Sequence, residues 1–212
     1  MRLNEIIGKT ETLTADTADK LLKSIKNGRF TKDGSKLKVA GSFYCIDDKL
    51  TSLEGAPSSV SGNFYCNDNR LTNLEGAPSS VGGTFSCHNN ELTSLEGAPS
   101  SVGRDFYCDD NELTNLEGAP SSVGGDFSCN NSKLTSLSSI HKYIKEVRGS
   151  MDFSFNPIKS SVLGLVKIKG LTEVMFVNKK LEKIMNKYLP LGDIFDCQEE
   201  LIEAGLEEFA EL

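Results

Sequence analysis

Phe64-Tyr-Cys-Asn-Asp-Asn-Arg-Leu-Thr-Asn-Leu-Glu-Gly-Ala-Pro-Ser-Ser-Val-Gly-Gly-Thr84 is 21 residues long, and Phe85 to Asp105 repeats it with few changes. The same wording continues outward in both directions. Five cysteines, Cys45, Cys66, Cys87, Cys108 and Cys129, stand 21 residues apart. A unit this short cannot enclose its own apolar side chains, so copies must stack and bury one another. The expectation is one elongated solenoid, where 212 residues would otherwise suggest one or two globular domains.

Within one unit, Phe64 and Cys66 alternate as inward positions of a strand do. Leu71 and Leu74 follow, with Asn69 ahead of them. This reads as a short parallel strand at Phe-x-Cys, one per coil. The asparagine then satisfies backbone groups where the chain turns away. The set recurs at Phe85, Cys87, Asn90 and Leu92, and at Phe106, Cys108, Asn111 and Leu113. Proline at 57, 78, 99 and 120 opposes a helix on the return side, and the glycine two residues earlier permits a tight turn. Extended or 3₁₀-like backbone is expected there. The Gly-Gly pairs at 82–83 and 124–125 recur with the repeat and read as turn residues.

The pattern degrades at its edges. Asp48 and Ser132 stand where the asparagine should be. Met151, Phe153, Asn156 and Ile158 restore the register after an insertion, and Leu171, Val174, Phe176 and Leu181 add one more coil. Seven strands are expected over residues 39–181. Residues 1–38 read as a helical cap, with Thr14 as N-cap, Leu21, Leu22 and Ile25 on one face, and Gly28 as terminator. Residues 182–212 read as a second cap. Leu181, Ile184 and Tyr188 mark one helix stopped by Pro190; Ile194, Cys197 and Leu201 mark another, interrupted by Gly205. Such caps cover apolar side chains and strand edges that bare end coils would expose. The expected class is an α/β solenoid with a short-stranded parallel sheet, an irregular convex side and helical caps.

No stretch approaches the ~20 apolar residues of a membrane span, and no apolar segment follows the amino terminus as in a secretory signal. A cytoplasmic location is the expectation, with no membrane partner. The cysteine column agrees: a disulfide framework would show paired, unequal spacings, whereas these positions point into a core. A metal site needs ligands converging on one point, and one register of a solenoid runs parallel to its axis. Neither a metal nor any other cofactor is expected.

The net charge of −7 is unevenly spread. Residues 1–38 carry nine Lys/Arg against five Asp/Glu, residues 39–138 four against thirteen, and residues 139–212 ten against twelve. The acidic middle repels phosphate backbones, so nucleic acid is not an expected partner.

With Phe and Cys inward, their neighbours form the outward face. One column reads Tyr44, Tyr65, Ser86, Tyr107, Ser128. The column before Phe reads Ser42, Asn63, Thr84, Asp105, Asp126. After Cys come Ile46, Asn67, His88, Asp109, Asn130, and then Asp47, Asp68, Asn89, Asp110, Asn131. Tyrosines above acids and amides form a candidate protein-binding surface, because Tyr offers much contact area at small entropic cost. Its candidate residues are Tyr44, Tyr65, Tyr107, Asp68, Asp105, Asp109, Asp110, Asp126 and His88. The rival reading is that tyrosine fits a strand and the rest is solvation.

Catalytic patterns are missing. The two histidines, His88 and His141, lie far apart, and no serine-centred or phosphate-cradling motif has its strand–turn–helix context. No catalytic residue and no small-molecule substrate are expected. Asp109-Asp110-Asn111-Glu112 is oxygen-rich, but the chain lacks the roughly nine-residue Gly-x-Asp period of calcium β-rolls.

The Phe-x-Cys-x-x-Asn-x-Leu unit resembles the leucine-rich repeat, L-x-L-x-x-N-x-L, with Phe and Cys in place of two leucines. Residues 39–212 as a whole look like short-repeat proteins of bacteria and tailed phages, in the unit Leu-Thr-Ser-Leu-Glu-Gly-Ala-Pro-Ser-Ser-Val and in the tail from Asn156-Pro to Phe209-Ala. That resemblance implies the scaffold and, for function, protein recognition, with a host factor as the partner of a phage protein. The alternative is a structural or self-associating assembly component. Some bacterial effectors join such repeats to a ubiquitin ligase domain with a catalytic cysteine. Cys197 is the one candidate here, but the segment after the last coil is too short for that domain, and its acidic neighbours oppose thiol activation.

Overall fold

The computed structural model describes residues 25–33 and 36–211. The helix expected around Thr14, Leu21 and Leu22 lies outside the described residues. Ile25 to Gly28, expected as the end of that helix, belong instead to a strand. β1 (Ile25–Asp33) pairs antiparallel with β2 (Lys36–Tyr44), Asp33 opposite Lys36, with a register shift between Lys26 and Arg29. The physical reason is the neighbour: β2 opens the sheet, and a strand laid along it satisfies a row of backbone groups that a short helix would leave unpaired.

β2 feeds two ladders. Phe43–Tyr44 starts a parallel series through β4 (Phe64–Tyr65), β6 (Phe85–Ser86), β8 (Phe106–Tyr107), β10 (Phe127–Ser128), β12 (Ser150–Asp152) and β13 (Glu173–Met175). From Phe43 to Phe106 each Phe faces the Phe of the next coil, and Phe127 faces Met151. Lys38–Val39 starts a second series through β3 (Ser59–Val60), β5 (Ser80–Val81), β7 (Ser101–Val102), β9 (Ser122–Val123) and β11 (Glu146–Val147). The side expected to be irregular is therefore a ladder of its own. The architecture is a parallel β-solenoid of about seven coils with few helices, as expected for the solenoid and its parallel sheet. Valine explains the second ladder: Val60, Val81, Val102 and Val123 are buried, and β-branched residues suit a strand. Ser58, Ser79, Ser100 and Ser121 reinforce it, each donating its hydroxyl to a carbonyl of the coil before, at 3.0–3.4 Å.

The core repeats with the coils. Val81, Phe85, Cys87, Leu92 and Leu95 are all inside, and so are their counterparts in neighbouring units. The rings of Phe43, Phe64, Phe85, Phe106 and Phe127 stack at 5.3–5.4 Å with planes within 13°. In the sixth coil the volumes are exchanged. Met151 takes the Phe position and Phe153 the Cys position, and Phe153 then stacks on Phe176 at 5.9 Å. All six cysteines are free and buried. Burial pushes the thiols of Cys45, Cys66, Cys87 and Cys108 well up.

Two glycine positions show how closely the coils sit. Gly97 has φ +88°, and a Cβ there would lie 2.4 Å from the Leu74 carbonyl carbon. A Cβ on Gly103 would lie 2.2 Å from the Gly82 oxygen. The glycine-rich step read as a turn is thus also a backbone-on-backbone contact between coils.

After the fifth coil a short helix, α1 (Ile140–Tyr143), and a 3₁₀ turn, Leu163–Lys167, lengthen the unit. α2 (Lys179–Tyr188) and α3 (Ile194–Glu203) follow the last strand. Asn178 caps α2 by accepting from the Lys180 and Leu181 amides, and Asp193 caps α3 through the Asp196 amide. α2 closes the free edge of β13. The Asn186 amide accepts from Val174 N at 2.7 Å and donates to Val174 O at 3.0 Å, and Glu182 accepts from Phe176 N at 2.8 Å. No described helix is long and apolar enough to cross a membrane.

Candidate functional site

The outward face of the Phe–Cys ladder brings the tyrosine and acidic columns together as neighbouring rows, because in-register parallel pairing repeats each position coil after coil. Tyr44 and Tyr65 stack at 5.2 Å with planes 22° apart, and Asn63 donates to the Tyr65 hydroxyl at 3.1 Å. Two coils further on, Tyr107 stands half-buried. Its own burial, then the carboxylates of Asp105, Asp126 and Asp109, push its phenol above the ordinary tyrosine range.

The acids are not all presented to solvent. Asp105 accepts from Asp126 N at 3.0 Å and from the Thr84 hydroxyl at 3.2 Å. Asp126 accepts from Ser150 N at 2.7 Å and from the Ser150 hydroxyl. Asp109 accepts from Asn130 N at 3.0 Å and from the Ser128 hydroxyl. These three carboxylates clip one coil to the next. Burial, opposed by those hydrogen bonds, holds Asp109 above the usual carboxylate range. Asp68 and Asp110 accept from the side-chain amides of Asn89 and Asn131 of the next coil, at 2.6 Å. Hydrogen bonds from Asn89 and then Asn67 keep Asp68 below its ordinary value, and its side chain is still 39 % exposed. Sequence reasoning placed all five acids on the face but missed that each is tied to the next coil, three of them through its backbone amides. The signal was available: outward backbone N–H groups before Phe and after Cys need acceptors, and a carboxylate one coil back supplies them.

His88 Nδ1 lies 2.8 Å from Ser86 Oγ, while Asp68 lies 4.0 Å from Nε2. Serine, histidine and aspartate are present, but the base–orienter hydrogen bond of a hydrolytic triad is missing and Ser86 is 2 % exposed. Cys197, on the buried side of α3, is fully covered, and burial followed by Glu200 and Asp193 pushes its thiol up to about 12. Among the described residues no three His, Cys, Asp or Glu side chains converge on a point where a metal ion would sit.

Two features were not foreseen. A groove of about 720 Å³ runs along the Ser–Val ladder, lined by Ser80, Ser101, Gly82 and Gly103 and ending at Lys38 and Arg148. The doubled serine of each unit is the sequence signal, since one serine bonds the previous coil and the next points out. The other feature is Phe155, which occupies the left-handed turn position held in earlier coils by Asp47, Asp68, Asn89, Asp110 and Asn131. It has φ +58° and is 71 % exposed.

The fold and its faces define a parallel β-solenoid repeat protein. No protein-family model matches the chain, and neither any curated protein nor any solved structure does.

Proposed function

We propose that the chain is a non-enzymatic recognition scaffold of leucine-rich-repeat type that binds a protein partner through the outward face of its Phe–Cys ladder. The carrying observation is the stacked Tyr44–Tyr65 pair with Tyr107 in line, held on a ladder whose side chains are already fixed by inter-coil hydrogen bonds. Rigid aromatic contacts lose little entropy on binding. Tyr44, Tyr65, Tyr107 and His88 make the contact, Asp68 and Asp110 set its sign, and Asp105, Asp109 and Asp126 position the strands. A basic patch is the complement such a face selects. The resemblance to short-repeat phage proteins makes a host protein the natural partner.

The test is capture from lysate of the source cell with the wild type and a Tyr65→Ala/Tyr107→Ala variant side by side. A protein retained by the first and lost from the second, at unchanged melting temperature, supports the reading. An identical retained set overturns it.

A further inference from the structure

α3 carries apolar residues on both sides. Cys197 and Leu201 face inward and are fully buried. Phe195 and Ile202, seven residues apart and so on one stripe, are 75 % and 48 % exposed. Leu191, in the turn before the helix, adds a third side chain at 65 %. A helix apolar on opposite sides is built to be covered from both.

The rim of that stripe has one sign. Asp196, Glu199 and Glu203 are exposed on the same helix. After Lys187 the chain contains eight acidic residues and no lysine or arginine. Two lysines of α2 are engaged elsewhere: Lys180 donates to the Ala204 carbonyl at 2.6 Å and Lys187 pairs with Glu200. Among the described residues none of Asp196, Glu199 and Glu203 has an ion-pair partner.

This combination selects among occupants. Anionic lipid and nucleic acid are repelled by the carboxylates. A second copy laid on the same face sets acid against acid. A helix with an aliphatic stripe and lysines or arginines beside it satisfies both demands. We propose that the outer face of α3, with the preceding turn, is a docking site for a basic amphipathic helix of a partner protein. Its aliphatic side chains cover Leu191, Phe195 and Ile202, and its cations meet Asp196, Glu199 and Glu203. The site is independent of the tyrosine face.

The probe is a synthetic peptide of about 18 residues, built of leucine and lysine with leucines at helical i, i+3, i+4, i+7 spacing. It is titrated calorimetrically into the full chain. Saturable binding is expected, weakened by about tenfold or more in a Phe195→Ser/Ile202→Ser variant and in a Glu199→Lys/Glu203→Lys variant. Both substituted pairs are surface residues, so melting should not move, and Phe155→Asn, at the other exposed aromatic, should leave binding intact. Lack of binding overturns the proposal. So does equal binding of a scrambled peptide with no apolar face, or an affinity unchanged in both variants. Concentration-dependent self-association in sedimentation, lost with Phe195→Ser, would assign the face to a second copy and overturn it too.

Discussion

One residue type does the most precise work in this chain. Asn90 donates to the carbonyls of Cys66, Cys87 and His88 and accepts from Leu71 N, all within 3.2 Å, and Asn111 repeats the set one coil on. The fifth coil places Ser132 there, with its buried hydroxyl unpartnered. Asparagine in its place would reach the Cys108, Cys129 and Asn130 carbonyls and the Leu113 amide by the same offsets. Ser132→Asn should therefore stabilise the fold by about 1 kcal/mol, read as a raised urea midpoint at unchanged slope. Asp109 gives the opposite kind of test. Burial raises its folded-state pKa, so the folded chain holds the proton more tightly than the unfolded one. The stability this proton contributes is present below about pH 4 and is lost as pH rises through the folded value. Asn at 109 keeps both acceptor bonds without the charge. Asp109→Asn should melt above the wild type at pH 7, with the advantage gone near about pH 4; a gain equal at both would contradict the assignment.

At the scale of elements, the strand and its stack of rings were legible and the hairpin was not. Period-two alternation and a 21-residue return place Phe-x-Cys inside whatever the surroundings. Phe106 has ring partners on both sides at 5.3–5.4 Å. Phe106→Ala should cost about 3–5 kcal/mol by denaturant unfolding, the usual loss on emptying an aromatic core site. A loss below about 1 kcal/mol would mean the stack closes over the gap. The first strands were hidden because Leu21, Leu22 and Ile25 carry a helical spacing that runs into the first residue of β1. The Ser–Val ladder was half visible: proline excluded a helix, but two residues are too few to show alternation. Its pairing exists only between coils.

For the whole molecule the same division holds. Which side chains share a face follows from the period alone, so the tyrosine, amide and acid columns could be written down in advance. Which of them are engaged does not, because Asp105, Asp109 and Asp126 find their partners one coil away. The α3 face was out of reach for a related reason, since Phe195 and Leu201 look equally apolar in the sequence and only packing distinguishes them. Coils that match in their Phe, Cys, Val and Leu positions carry no positional information, and a strand displaced by 21 residues would meet the same partners. The last coil breaks that sameness. Asn186 offers one acceptor and one donor to the two backbone groups of Val174, and Glu182 takes the amide of Phe176, where any middle coil would offer a different neighbourhood. The chain thus sets its alignment from its last rung, as a zip is set by its end stop rather than by its teeth.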